Sequence, residues 1–84
     1  MELGTQFKKA AEDVMKLSAR PSNDTLLALY ALFKQATEGD ASGKRPGLMD
    51  LKGRKKYDAW AEKKGMSKEN AMQEYVALVN SLQH

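Results

Sequence analysis

The segment from residue 26 to residue 37 constrains the fold more than any other part of the chain. On a helix with about 100° per residue, its apolar side chains cover more than half of the circumference, which exceeds the stripe that one packed face needs. Pro21 disfavours a helical conformation at the residue before it, Ser22 or Asn23 can cap the new helix, and Gly39 suits a left-handed end. The pattern predicts either a central helix packed on two sides or a helix with one flank lining a groove.

Three further segments have helical periodicity, and no segment has a strand pattern. The first covers about residues 5–17 and the third about residues 52–64, and the fourth begins after the N-cap candidate Ser67. The first and fourth segments each carry one apolar face, so we expect these two helices to pair. The chain is therefore expected to be all-α.

The connection between the second and third helices is long for a small domain. It reads GDASGKRPGLMDLKG, with four glycines and a proline. Its apolar residues Leu48, Met49 and Leu51 predict that it packs onto the protein. A connection of this length also allows the helices on either side of it to lie parallel.

Composition bounds the class of protein. A chain of 84 residues is expected to form one domain, spanning 1–84. It has no cysteine, which excludes disulfides and thiol catalysis and is compatible with a reducing compartment. No apolar run has the roughly 18 residues of a membrane span and no signal peptide is recognisable, so the chain is expected to be a soluble cytoplasmic protein.

Two helices carry cations beside apolar surface. Tyr30 and Lys34 are separated by one helical turn on the flank of the apolar segment. On the third helix, Lys52 and Lys56 lie on one side, which can offer ammonium groups to phosphate. A phenolic hydroxyl and ammonium groups together favour binding of an anion. A lysine-rich side can equally be a solvated surface.

Catalytic patterns are absent from the sequence. The single histidine, His84, is the last residue, and the adjacent Glu12 and Asp13 point in different directions on their helix. There is no metal-ligand spacing and no phosphate-binding loop or dinucleotide fingerprint. We therefore predict a binding protein that is not an enzyme and that needs no metal and no cofactor.

Two blocks of sequence resemble the acyl-CoA-binding protein family. The first is PSNDTLLALYALFKQATEG, residues 21–39, and the second is RPGLMDLKGRKKYDAWAEKKGMSKENAMQEYV, residues 45–76. The resemblance extends over nearly the whole chain, and it implies a skewed up-down-down-up four-helix bundle. It also implies a ligand, the thioester of a long-chain fatty acid with coenzyme A.

The resemblance implies a role for particular residues. The 3′-phosphate and adenine of CoA would be bound by Tyr30, Phe33, Lys34, Lys56, Tyr75 and Ala11, with Met15 standing where many relatives have a lysine near the phosphates. The acyl groove and its flank would use Leu26, Leu27, Ala31, Leu32 and Lys52.

The function predicted on this basis is non-catalytic binding of long-chain acyl-CoA by an intracellular carrier or pool former. Enzymes that use acyl-CoA are expected partners, and the chain is expected to be a monomer without stable membrane insertion. The alternative is a basic helical module that binds nucleic acid or an anionic membrane surface. The sequence does not determine the preferred acyl length.

Overall fold

The computed structural model describes residues 2–83, so the terminal His84 lies outside the described residues. Four helices form this part of the chain: α1 (Leu3–Val14), α2 (Asn23–Glu38), α3 (Leu51–Ala61) and α4 (Lys68–Leu82). Between residues 2 and 83 there is no strand. The prediction of an all-α, four-helix fold is confirmed.

Two helices end earlier than their sequence pattern predicts. Helix α1 stops at Val14 because the next two amides, of Met15 and Lys16, bond to carbonyls three residues back, at 3.2 and 2.9 Å. After Ala61 the chain again forms such tight turns rather than continuing α3. Tightening of the last turn is a common way for a helix to satisfy its final backbone groups.

Side-chain caps fix the starts of α2 and α4, and a glycine ends α2. The hydroxyl of Ser22 accepts the amide of Thr25 at 3.2 Å, so Ser22 is the N-cap of α2. Ser67 caps α4 in the same manner. Helix α2 ends at Gly39, whose positive φ of 83° is accessible to glycine without steric cost.

Helix α2 is central, because it packs against both α3 and α4, whereas α1 packs against α4. The indole Nε1 of Trp60, near the end of α3, donates to the carbonyl of Gly39 at the end of α2, at 2.7 Å. Lys52 at the start of α3 and Asp24 at the start of α2 line one common groove. Helices α2 and α3 are therefore parallel, which the long connection allows.

Helix α4 is antiparallel to α2. The side chain of Gln35, near the end of α2, donates to the carbonyl of Met66 just before α4, at 2.8 Å. The same Nε2 donates to Asp40 at 2.9 Å, and Asp40 also accepts the amide of Gly65. The hydrogen bond from the Gly65 amide is the main cause that lowers the pKa of Asp40 below its ordinary value, and the hydrogen bond from Gln35 lowers it further. This network joins the end of α2 to the turn before α4.

The core lies between α1, α2 and α4, and the predicted pairing of α1 with α4 is confirmed. Its buried residues are Phe7, Ala10, Leu29, Leu32, Ala36, Ala71, Tyr75 and Val79. Trp60, which belongs to α3, is buried where α3 packs against α2. Packing on two sides thus accounts for the broad apolar arc of α2.

The prediction that the apolar residues of the long connection pack onto the protein is wrong. Leu48, Met49 and Leu51 are 78%, 98% and 68% exposed. Polar contacts hold the connection instead: Arg45 forms two hydrogen bonds with Asp58, at 2.8 and 2.7 Å. The Tyr57 hydroxyl donates to the Gly43 carbonyl at 3.2 Å, which adds a second polar attachment to α3.

Candidate functional site

A groove of about 830 Å³ lies between α2 and the first half of α3. Its lining combines cationic, polar and apolar side chains. They are Arg20, Asn23, Asp24, Leu26, Leu27, Tyr30, Lys52, Lys55 and Lys56. Five of the residues that the sequence resemblance implicates, from two different helices, therefore come together here: Leu26, Leu27, Tyr30, Lys52 and Lys56.

The groove places an ammonium group next to a phenol ring. The Nζ atom of Lys56 lies over the ring of Tyr30, 5.4 Å from its centroid. Lys56 is exposed and Tyr30 is half-buried, so both can approach a ligand that enters the groove. A phosphate there could accept hydrogen bonds from the ammonium and from the hydroxyl. Leu26 and Leu27 contribute apolar surface to the same groove.

Lys34 does not line this groove, although the resemblance places it with Tyr30 and Lys56. Its ammonium forms an ion pair with Glu38 one helical turn further along α2. It also lies over the ring of Trp60, 4.8 Å from the centroid. The hydrogen bond to Glu38 raises the pKa of Lys34, so this side chain is a cation with an internal partner.

Aromatic side chains meet where α1, α2 and α4 come together. The ring of Phe33 is 5.5 Å from that of Phe7 and 6.0 Å from that of Tyr75. Phe33 is 39% exposed, whereas Tyr75 is buried, and burial raises the pKa of its hydroxyl. A planar aromatic group could stack on the open part of Phe33.

The remaining residues implied for the nucleotide end lie on α1 or directly after it. Ala11 is half-buried and packs against the core. Met15, just after the helix, is 86% exposed and brings no charge to this surface. Any favourable interaction of Met15 with a ligand is therefore apolar.

Ala31 and Leu32 occupy a different place from the one the resemblance implies. Both are buried, and Leu32 belongs to the core between α1, α2 and α4. Their surface is already covered by protein, so neither lines the groove. The structure therefore does not bring Ala31 and Leu32 together with the groove residues, and their role towards a ligand stays a prediction.

Sequence reasoning did not assign four groove residues to a site: Arg20, Asn23, Asp24 and Lys55. Asn23 and Asp24 are expected at the start of α2 because such residues suit a helix N-terminus. That expectation does not indicate whether their side chains also line a groove. Arg20 precedes Pro21 in the connection before that helix, and no periodicity indicates which surface a residue in such a connection will join. Lys55 was visible only as part of a basic cluster.

This arrangement is suited to holding an elongated molecule with an anionic end and an apolar end. Lysines stand on the α3 side of the groove, and leucines lie on its α2 side. Outside the groove lining, the partly exposed ring of Phe33 on α2 packs on Phe7 of α1. Among residues 2–83, no three His, Cys, Asp or Glu side chains are grouped as metal ligands. None of the helices in that range is long and apolar enough to span a membrane.

Comparisons with known proteins agree with one another. The family model described as "Acyl CoA binding protein" matches residues 4–79. The acyl-CoA-binding protein homolog of Manduca sexta is 55% identical over 83 residues, covering 98% of this chain and 92% of that protein. The Drosophila melanogaster homolog is 54% identical over 77 residues, covering 92% and 90%. The crystal structure of Oryza sativa Acyl-CoA-Binding Protein 2 has a TM-score of 0.92 at 43% identity, covering 96% of this chain and 90% of that one.

Proposed function

The chain belongs to the acyl-CoA-binding protein family, and on that premise we propose that it binds long-chain fatty acyl-CoA thioesters without transforming them. In this proposal it is a monomeric carrier and pool former in the cytoplasm, from which enzymes that use acyl-CoA take their substrate. The cytoplasmic location rests on the absence of cysteine, which is compatible with a reducing compartment.

One observation carries the proposal at the level of this molecule. The groove between α2 and α3 has Lys56 and Tyr30 in contact with each other, and Leu26 and Leu27 in the same lining. The cations and the leucines line one concave surface, so a single bound molecule can contact both. An acyl-CoA needs both kinds of surface, because its 3′-phosphate is anionic and its tail is a hydrocarbon.

The two ends of the ligand contribute by different physical effects. Hydrogen bonds from an ammonium to a phosphate are charge-assisted and contribute about 1.5–3 kcal/mol each. Burial of the tail contributes up to about 0.8 kcal/mol per methylene before ordering costs are subtracted. A ligand that has only one of the two ends should therefore bind much more weakly than the complete thioester.

Lys34 enters the proposed site by exchanging one anion for another. Its ammonium forms an ion pair with Glu38, and Lys34 follows Tyr30 by one turn on α2. Rotation of its long side chain would move the ammonium from the carboxylate towards a phosphate bound near Tyr30. The affinity for ligand is then reduced by whatever the Lys34–Glu38 pair contributes in the free protein.

We expect Glu38→Gln to bind palmitoyl-CoA about twofold more tightly, since an exposed pair at this spacing contributes roughly 0.3–0.5 kcal/mol. Titration calorimetry at low ionic strength measures the change. Glu62→Gln is the matched control, because it removes the same charge from an exposed position outside the groove lining. Equal affinities of the two variants would show that Glu38 does not compete with the ligand.

The proposed function is tested by titrating the protein with palmitoyl-CoA, CoA, free palmitate and a series of acyl-CoA chain lengths. We expect palmitoyl-CoA to bind most tightly of the first three ligands, and affinity to increase with chain length. Moderate salt should weaken binding only in part. Absence of palmitoyl-CoA binding would refute the proposal. Binding of an oligonucleotide that collapses with salt would instead support the basic-module alternative.

A further inference from the structure

The groove between α2 and α3 has two cationic ends, and the 3′-phosphate of a bound acyl-CoA would occupy only one of them. Helix α2 rises about 1.5 Å per residue, so its groove residues lie in order from the connection before the helix to Tyr30. Tyr30 and Lys56 form the end assigned to the 3′-phosphate. The half-buried Leu26 and Leu27 lie in the middle. The opposite end, which we call the arginine end, is lined by Arg20, Asn23, Asp24 and Lys52.

The arginine end carries more positive than negative charge. Arg20 and Lys52 stand against one carboxylate, that of Asp24. Lys55 adds a third cation, because it lies three residues after Lys52 on the same side of α3. All four charged side chains are exposed, and in the described part of the chain none of the three cations forms an ion pair. An anion that reached this end would therefore meet cations that no carboxylate has already neutralised.

Arg20 has the most hydrogen-bond donors left for a ligand among these cations. A guanidinium has five N–H donors in a planar fork. Within residues 2–83, the guanidinium of Arg20 forms one hydrogen bond, from Nη2 to the side-chain oxygen of Asn23 at 3.2 Å. Asn23 is neutral, so this contact leaves the positive charge uncompensated. A carboxylate fits the fork with two parallel hydrogen bonds, a geometry that an ammonium group cannot reproduce.

The arginine end offers nothing to a simple hydrocarbon tail. We build here on the proposed function, in which the 3′-phosphate lies at Tyr30 and Lys56. A tail that follows Leu26 and Leu27 away from that phosphate is directed towards the arginine end. A terminal methyl group there forms no hydrogen bond with the cations, and it displaces water that does. A terminal carboxylate would replace that water as their partner.

We propose that the groove binds, besides simple acyl-CoA, the CoA monothioesters of long-chain dicarboxylic acids, whose tail ends in a second carboxylate. Arg20 selects them by a bidentate pair of hydrogen bonds to that carboxylate. Lys52 and Lys55 add positive potential, which outweighs the opposing charge of Asp24. A simple tail still binds through the apolar middle of the groove. Arg20 therefore sets the preference between tails and not acyl-CoA binding itself.

The preference is measured by titration calorimetry with matched pairs of thioesters at low ionic strength. Dodecanedioyl-, tetradecanedioyl- and hexadecanedioyl-CoA are each compared with the monocarboxylic thioester of the same length, lauroyl-, myristoyl- or palmitoyl-CoA. A charged tail end costs affinity wherever it leaves water without a partner. We therefore expect the dicarboxylic thioester to bind at least as tightly as its partner at the length whose carboxylate reaches Arg20, and more weakly where the carboxylate falls short.

Replacing Arg20 by glutamine tests the residue at that length. Arg20→Gln should weaken binding of the dicarboxylic thioester about fivefold, and binding of its monocarboxylic partner by less than about twofold. Arg20→Lys, which keeps the charge without the planar fork, should give an intermediate loss. Arg54→Gln is the matched control, because it removes the same charge from α3 outside the groove lining. Thermal melts should be unchanged for Arg20→Gln, since Arg20 is exposed and lies outside the helices.

Two results would overturn the proposal. One is a wild type that binds every dicarboxylic thioester more weakly than its partner. The other is an equal effect of Arg20→Gln on both ligands of a pair; an equal loss would assign Arg20 to the phosphates of CoA rather than to the tail. Palmitoyl-CoA binding alone decides the proposed function. A wild type that binds palmitoyl-CoA but does not accept the dicarboxylic tail thus refutes only the selection by Arg20.

Discussion

Replacing Lys56 by alanine is expected to weaken the binding of palmitoyl-CoA by roughly 10- to 150-fold, because a charge-assisted hydrogen bond contributes about 1.5–3 kcal/mol. Lys56 is exposed, and its ammonium lies over the ring of Tyr30 in the groove. The loss of stability should be small, since a cation–π contact at an exposed site contributes only about 0.5–1 kcal/mol. The variant therefore separates binding from folding.

A comparison of two ligands that differ only in the 3′-phosphate shows whether Lys56 binds that phosphate. Titration calorimetry should compare palmitoyl-CoA with palmitoyl-dephospho-CoA, which lacks that phosphate. If Lys56 binds the 3′-phosphate, the penalty of Lys56→Ala should largely vanish with the dephospho ligand. Lys63→Ala is the matched control, because it removes the same charge from the turn after α3 without touching the groove lining. Equal penalties for both ligands would place the contact of Lys56 elsewhere on the molecule.

Trp60→Ala is expected to reduce the free energy of unfolding by about 3–5 kcal/mol. Trp60 is only 6% exposed, and it connects α3 to the end of α2. Its indole donates to the carbonyl of Gly39 at 2.7 Å, and its ring contacts Lys34 and the edge of Tyr57. Small domains have a total stability of about 5–15 kcal/mol, so this one substitution should remove a large part of it.

Urea denaturation followed by circular dichroism measures the change in stability. Trp60→Phe is the informative companion, because it keeps an aromatic ring between α2 and α3 but removes the donor to Gly39. We expect an intermediate loss for this variant, arising from the unpaired carbonyl and from incomplete filling of the site. A loss below about 1 kcal/mol for Trp60→Ala would mean that α3 is held mainly by its polar attachments.

Much of the fold could be predicted because its determinants are local. Caps such as Ser22 and Ser67 act within one turn of their helices, and Gly39 ends α2 where the sequence indicates. The broad apolar arc of residues 26–37 predicted either packing on two sides or a flank that lines a groove, and α2 has both features. The family resemblance rested on ordered blocks of residues, and the family was confirmed. The roles of individual ligand-binding residues stay predictions.

Sequence reasoning could not predict the contacts of a side chain that has alternatives of similar local energy. Lys34 follows Tyr30 at the spacing of one turn, yet its ammonium pairs with Glu38. Leu32 shares an apolar helix with Leu27, but the core buries Leu32 while Leu27 lines the groove. Hydrophobicity alone does not distinguish these two leucines, because the distinction depends on which helix covers which side.

The sequence by itself determined the helices, their caps and the class of ligand, because periodicity, capping and the family's ordered blocks are written in short stretches of the chain. Only the tertiary structure decided that Arg20 joins Lys55 in one groove and that Met49 faces solvent. Those outcomes depend on which segments, distant from each other in sequence, pack together and which side chains they leave uncovered. A pattern of residue types along one helix carries no information about either.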